Sequence, residues 1–175
     1  MKYLGLLVLS IILCLPAFEN GFPLMHPDTS AYLIAGFDSV IGEGRTWPYA
    51  GFLRHISLSE SLWLVVFVQS SLMLGCLDLF FKAFFDVTEL RKYLLPFYVF
   101  VVAVPTALSF HVSCLMPDVF TPIMLLSFLI LLLAPKQSKK EKACTISLFL
   151  MALVMHNTHL ILALVFIILL WISYL

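Results

Sequence analysis

Apolar residues run almost unbroken through 3–18, 62–85, 94–110 and 119–134. Each run is long enough, or nearly so, to cross a hydrocarbon core that takes about 17–25 helical residues. None shows the polar/apolar alternation of a barrel strand, and a spanning backbone must satisfy its own hydrogen bonds, so helices are predicted. A further apolar tract, 143–175, is interrupted by His156-Asn157-Thr158-His159. As one helix it would be about 50 Å long at about 1.5 Å per residue, against a hydrocarbon core of about 30 Å. Two helices, 143–155 and 160–175, joined by a tight polar turn are therefore expected. The fold class is all-α integral membrane, about six transmembrane helices in one domain over 1–175. Because the last apolar run has no charged or polar flank, the chain is expected to be an N-terminal part of a longer protein.

The segment 19–61 between the first two runs has a pattern of its own. Tyr32, Leu33, Phe37, Val40 and Ile41 recur at helical spacing, with Asp28, Thr29 or Ser30 able to cap the start. After Gly42-Glu43-Gly44, Trp47, Pro48 and Tyr49 lead into a second short apolar stretch, 49–56. Two short amphipathic helices in the headgroup region fit this pattern, with Trp47 and Tyr49 at interfacial depth.

Composition sharpens the picture: 62% of residues are hydrophobic and 11% charged, whereas a soluble domain is about 45–50% apolar and about 25% charged. That excess of apolar surface excludes a soluble globular domain and requires a lipid bilayer. Charge sets the orientation. With Lys2 in the cytoplasm, Lys82, Arg91 and Lys92 follow it there after two crossings and Lys136, Lys139, Lys140 and Lys142 after four. Only Arg45 and Arg54 remain outside, the bias expected of inner loops. The outer side then holds all five histidines, His26, His55, His111, His156 and His159, together with Asp28, Asp38, Glu43, Glu60 and Asp118. The basic loop 136–142 reads as a solvated cytoplasmic turn, so no nucleic-acid partner is expected. Lys2 and the apolar run behind it resemble a signal peptide, but no small-x-small cleavage site follows, so an uncleaved first helix is expected. Asp78 and Lys82 have the spacing of an i,i+4 ion pair. Cys14, Cys76, Cys114 and Cys144 have no metal-site spacing and read as small buried apolar residues.

Candidate chemistry lies in the outer layer. Asp28 has two readings: the N-cap of the helix that follows, or a general base toward a hydroxyl at the bilayer surface. Asp118, after Pro117, is either the cap of the fourth helix or a second carboxylate supporting a metal or an acceptor. His156 and His159 are spaced i,i+3 and, with His111, are candidate metal ligands.

A first helix, an outer loop carrying Pro27-Asp28-Thr29-Ser30-Ala31-Tyr32 and, further along it, Arg45-Thr46-Trp47-Pro48-Tyr49-Ala50-Gly51-Phe52-Leu53-Arg54 resemble the start of GT-C type membrane glycosyltransferases. Met116-Pro117-Asp118 and the histidine turn before the last helix are similar to later segments of that family. Trp47-Pro48-Tyr49 departs from the Pro and Gly-Tyr-Pro more usual there, and the family has many more helices, so the match is to an N-terminal module. The resemblance implies transfer of a sugar from a polyprenyl-phosphate donor to a hydroxyl acceptor on the extracytoplasmic side of a membrane, a bacterial cytoplasmic membrane being expected. It implies Asp28 as the base and Arg45, Arg54 and Tyr49 as groups binding substrate or phosphate. A divalent cation, Mg or Mn, is a candidate cofactor on Asp118, His111, His156 and His159. The competing readings are a small transporter or metal-handling membrane protein, and a non-catalytic subunit serving a further membrane protein.

Overall fold

The computed structural model describes residues 2–40, 42, 45–85, 93, 96–101, 107–134 and 137–173, and these are all-helical apart from one isolated backbone bridge. Of the predicted helix 94–110, residues 96–101 and 108–110 are helical and 107 is a turn, while 94, 95 and 102–106 lie outside the described residues, as do Ile41, Glu43, Gly44, Arg91, Lys92 and Lys136.

The run expected as one helix over 3–18 is two, α1 (Lys2–Leu13) and α2 (Leu15–Asn20), broken at Cys14. Pro16 is the cause, since it has no N–H to give to the preceding turn. Gly21 ends α2 in the left-handed region at φ 72°, its N–H donating to the Phe18 carbonyl at 3.1 Å. The chain then runs to Leu24, whose backbone pairs in parallel with the segment at Cys114. Leu24 N–H donates to Ser113 O and Leu115 N–H to Leu24 O, both at 2.9 Å. Nothing local in the sequence signals this pairing across some ninety residues.

The two short helices expected in 19–61 are present as α3 (Thr29–Asp38) and α4 (Trp47–Ser57). They pack closely on each other because Gly36 has no side chain: a Cβ there would lie 2.6 Å from the Ala50 carbonyl oxygen. Gly36→Ala should therefore force the pair apart and destabilise the protein by about 1–3 kcal/mol. Gly51→Ala on α4 meets no atom within 4 Å, and should instead gain up to about 1 kcal/mol of helix propensity. Thermal unfolding in detergent compares the two, and equal melting temperatures would contradict the close approach.

Helix α5 (Trp63–Phe84) has 22 residues and is long and apolar enough to cross a membrane. It is the hub of the fold, packing on α1, α4, α6 (Leu108–Ser113), α7 (Phe120–Leu133) and α8 (Lys139–Met155). Leu13, Tyr49, Val66, Met73, Phe120 and Ile123 belong to the core that α5 organises. Ser10 on α1 and Ser70 on α5 add a polar clasp, hydroxyl to hydroxyl at 2.8 Å. The expected Asp78–Lys82 pair is present at 2.5 Å. Of the four cysteines, Cys14 and Cys76 are buried as expected, Cys114 is half-buried, and Cys144 is exposed, contrary to expectation.

Helix α8 begins four residues before the expected 143. A capping box explains the extra turn: Glu141 N–H donates to the Ser138 hydroxyl at 3.2 Å, and Ser138 N–H donates to the Glu141 carboxylate at 3.0 Å. The expected polar turn is narrower than its four residues. Extended backbone at His156 alone separates α8 from α9 (Asn157–Ser173), and α9 packs principally on α8. Much of α9 is unpaired apolar surface, with Leu160, Ile161, Leu164, Ile168, Trp171 and Ile172 all exposed.

Candidate functional site

Four stretches distant in sequence meet at one end of the bundle: 24–29, 45–46, 113–121 and 155–159. Their meeting is fixed by hydrogen bonds that use the free backbone groups of helix ends. The Thr29 hydroxyl donates to Leu115 O at 3.1 Å while accepting His26 N–H at 2.9 Å. The Thr46 hydroxyl donates to Met155 O, a last-turn carbonyl of α8, at 2.6 Å. Beneath them Gln69 of α5, fully buried, donates its amide to Val112 O at 2.9 Å and Cys114 O at 3.0 Å, closing the end of α6. Its own oxygen accepts the Tyr49 hydroxyl at 3.0 Å.

Asp28 lies at the N-cap position of α3 but does not act as a cap. Its backbone is helical (φ −76°, ψ −17°) and its carboxylate makes no bond to the helix N–H groups. The carboxylate turns instead to Arg45, with Nη2 and Oδ1 2.5 Å apart. Its backbone N–H donates to His26 Nδ1 at 3.3 Å, which makes that nitrogen the unprotonated one. Arg45 is supported independently of Asp28. Its guanidinium carbon lies 5.6 Å from the centre of the Tyr32 ring, a cation–π contact. Tyr32 in turn meets Tyr49 edge to face at 5.1 Å. Burial pushes the Tyr32 phenol up, and the positive charge of Arg45 opposes that shift.

The Asp28–Arg45 pair is partly open, with side chains 37% and 27% exposed. At that exposure solvent screens the attraction, and the pair contributes at most about 1 kcal/mol. It is an ion pair that a ligand of matching charge can break.

Asp118 is not the helix cap expected from its sequence position. It sits inside a 3-10 turn, Pro117–Val119, which leads into α7, and neither flanking cap position carries a side-chain cap. It is half-buried and close enough to act electrostatically on Tyr32, Tyr49, Cys114 and His159. Asp28, Arg45 and Asp118 therefore belong to one neighbourhood, bordered by the N-terminal ends of α3, α4, α7 and α9. Each of those ends carries partial positive charge that favours an anion.

The other candidates separate from this centre. Arg54 donates to Gly36 O at 3.3 Å, about two turns along α3 from Asp28, and ties α4 to α3. Tyr49 is fully buried, and burial pushes its phenol well up; it is a strut under the site. His111 is exposed on α6. His159 is buried with both ring nitrogens engaged: Nδ1 donates to Ala152 O at 2.7 Å, which leaves Nε2 to accept from the Thr121 hydroxyl at 2.8 Å. Burial pushes its pKa down, so it is held neutral. His156 spends Nδ1 on the Thr158 hydroxyl at 2.7 Å. Among the described residues no three His, Cys, Asp or Glu side chains gather as metal ligands. The one ring lone pair of His159 is already committed to Thr121, so His159 is not free to serve as a ligand to the divalent cation that the resemblance implies.

Sequence reasoning did not single out Tyr32, Thr46, Gln69 or Thr121 for the site. Only Tyr32 had a local signal, an aromatic one turn after an acidic residue. Compared with protein families, curated proteins and solved structures, the chain matches none.

Proposed function

We propose that this chain is a membrane-embedded sugar transferase module of GT-C type, taking sugar from a polyprenyl-phosphate donor at a site on the extracytoplasmic face. The observation that carries the reading is the partly open Asp28–Arg45 pair, in which a carboxylate that does no capping stands beside a guanidinium. Asp28 takes the proton of an acceptor hydroxyl, and the resulting oxygen attacks the sugar carbon bound to the donor phosphate. The bond from that carbon to the phosphate oxygen breaks, and its electron pair leaves with the lipid phosphate. Arg45 meets the charge that develops on that oxygen, and as a guanidinium it matches phosphate geometry. Asp118 helps hold the acceptor. Exposed apolar side chains along α7, α8 and α9, among them Leu132, Leu150, Val154 and Ile167, supply surface that lipid would cover.

The test follows release of polyprenyl phosphate from a polyprenyl-phosphate-linked sugar by vesicles holding the full-length protein. A donor left intact with every hydroxyl acceptor offered would sink the reading. Its topology is tested separately, after replacing the half-buried Cys114 and the exposed Cys144 by Ser, with an added cysteine at Asp38 or at Lys140. An impermeant thiol reagent on intact cells should label the first and spare the second. The opposite pattern would put the site on the wrong side of the membrane.

A further inference from the structure

Resting on the reading that this site handles a lipid-borne phosphate, we infer that Arg45 is an anion seat which Asp28 occupies as a tethered competitor. A phosphate entering the site takes Arg45 and releases Asp28. Three observations converge on this. The carboxylate does no capping work, and among the described residues its cation partner is Arg45. Arg45 has a second support besides Asp28, because Tyr32 lies under the guanidinium and Tyr32 is itself buried against Tyr49. The pair is also partly exposed, so an incoming anion reaches it without unfolding anything.

The chemistry of the two anions decides the exchange. A guanidinium has five N–H donors in a planar fork. Asp28 engages it through a single nitrogen, whereas phosphate oxygens engage such a fork in pairs and carry more charge. Once Arg45 has turned to phosphate, both Asp28 oxygens are left to the acceptor hydroxyl. Donor binding and release of the base are then one event, and water meets a carboxylate that is occupied until the donor arrives.

This makes a prediction opposite in sign to that of a carboxylate that helps to bind the donor, directly or through a metal. Purified protein in phosphatidylcholine nanodiscs is titrated with farnesyl phosphate and, separately, with inorganic phosphate. Asp28→Asn should bind farnesyl phosphate about two- to fivefold tighter than wild type, the factor that corresponds to losing a screened ion pair. Arg45→Gln should bind it weakly, and the double variant no better than Arg45→Gln alone. Melting curves select folded samples, and the conservative Asn keeps the side chain's size. Equal or weaker binding of both phosphates by Asp28→Asn overturns the inference, as does a gain that persists without Arg45. A gain for inorganic phosphate with none for farnesyl phosphate upholds the exchange and sinks the lipid-phosphate reading of function.

Discussion

Asp28→Asn is expected to lower sugar transfer by about 10²–10⁴-fold, the contribution of a positioned base, with the protein's abundance and membrane insertion close to wild type. The structure separates the two effects more cleanly than the sequence does. Asn caps a helix about as well as Asp, and the Asp28 carboxylate makes no bond to the helix N–H groups in any case. What Asn removes is the charge and the pair with Arg45, a loss of at most about 1 kcal/mol at this exposure. Asp38→Asn, at the exposed far end of the same helix, serves as control. Transfer by Asp28→Asn at the wild-type rate would place the base elsewhere. A fall in transfer matched by an equal fall in abundance would return Asp28 to a structural role.

The largest loss of stability is expected from Gln69→Leu. The substitution keeps the volume roughly and removes every polar atom at a fully buried position. Val112 O loses its side-chain donor and the Tyr49 hydroxyl loses its acceptor, while Cys114 O keeps the N–H of Met116 at 2.9 Å. Two buried polar groups left without partners cost about 2–5 kcal/mol. For a chain of this size that corresponds to roughly 2–4 °C of melting temperature per kcal/mol. Tyr49→Phe, which strips one partner from Gln69 and leaves its two amide bonds in place, should lose less than half as much. A Gln69→Leu protein that melts with wild type would mean that this network does not hold α4, α5 and α6 together.

What the sequence made legible follows from period and punctuation. The short helices after the first run were readable because Tyr32 and its neighbours repeat at helical spacing, and the break near 156 because a polar tetrapeptide interrupts an overlong apolar tract. The break at Cys14 was missed although Pro16 marks it, because an unbroken apolar run masks a single proline. The early start of α8 was missed although Ser138 and Glu141 spell a capping box. For the site, Asp28 and Arg45 were singled out separately, and no local pattern could reveal that they face each other. Arg54, in the same short segment as Arg45, was indistinguishable from it by residue type; the helical turns of α4 put its guanidinium against Gly36 instead. The roles of Gln69, Thr46 and Thr121 rest on partners tens of residues away, and sequence periodicity carries no information at that range.

The bond from Thr46 to the Met155 carbonyl has a consequence in time as well as in space. Its two ends are 109 residues apart, and the ribosome adds about 5–20 residues each second. Arg45 and Thr46 therefore wait roughly 5–20 s for the end of α8 to be synthesised, with α3 and α4 already made. During that interval the wall formed by 155–159 is missing, so the neighbourhood closes only after α8 is complete. A ribosome paused before residue 155 would hold a nascent chain whose first helices are complete and whose Thr46 hydroxyl still lacks its acceptor.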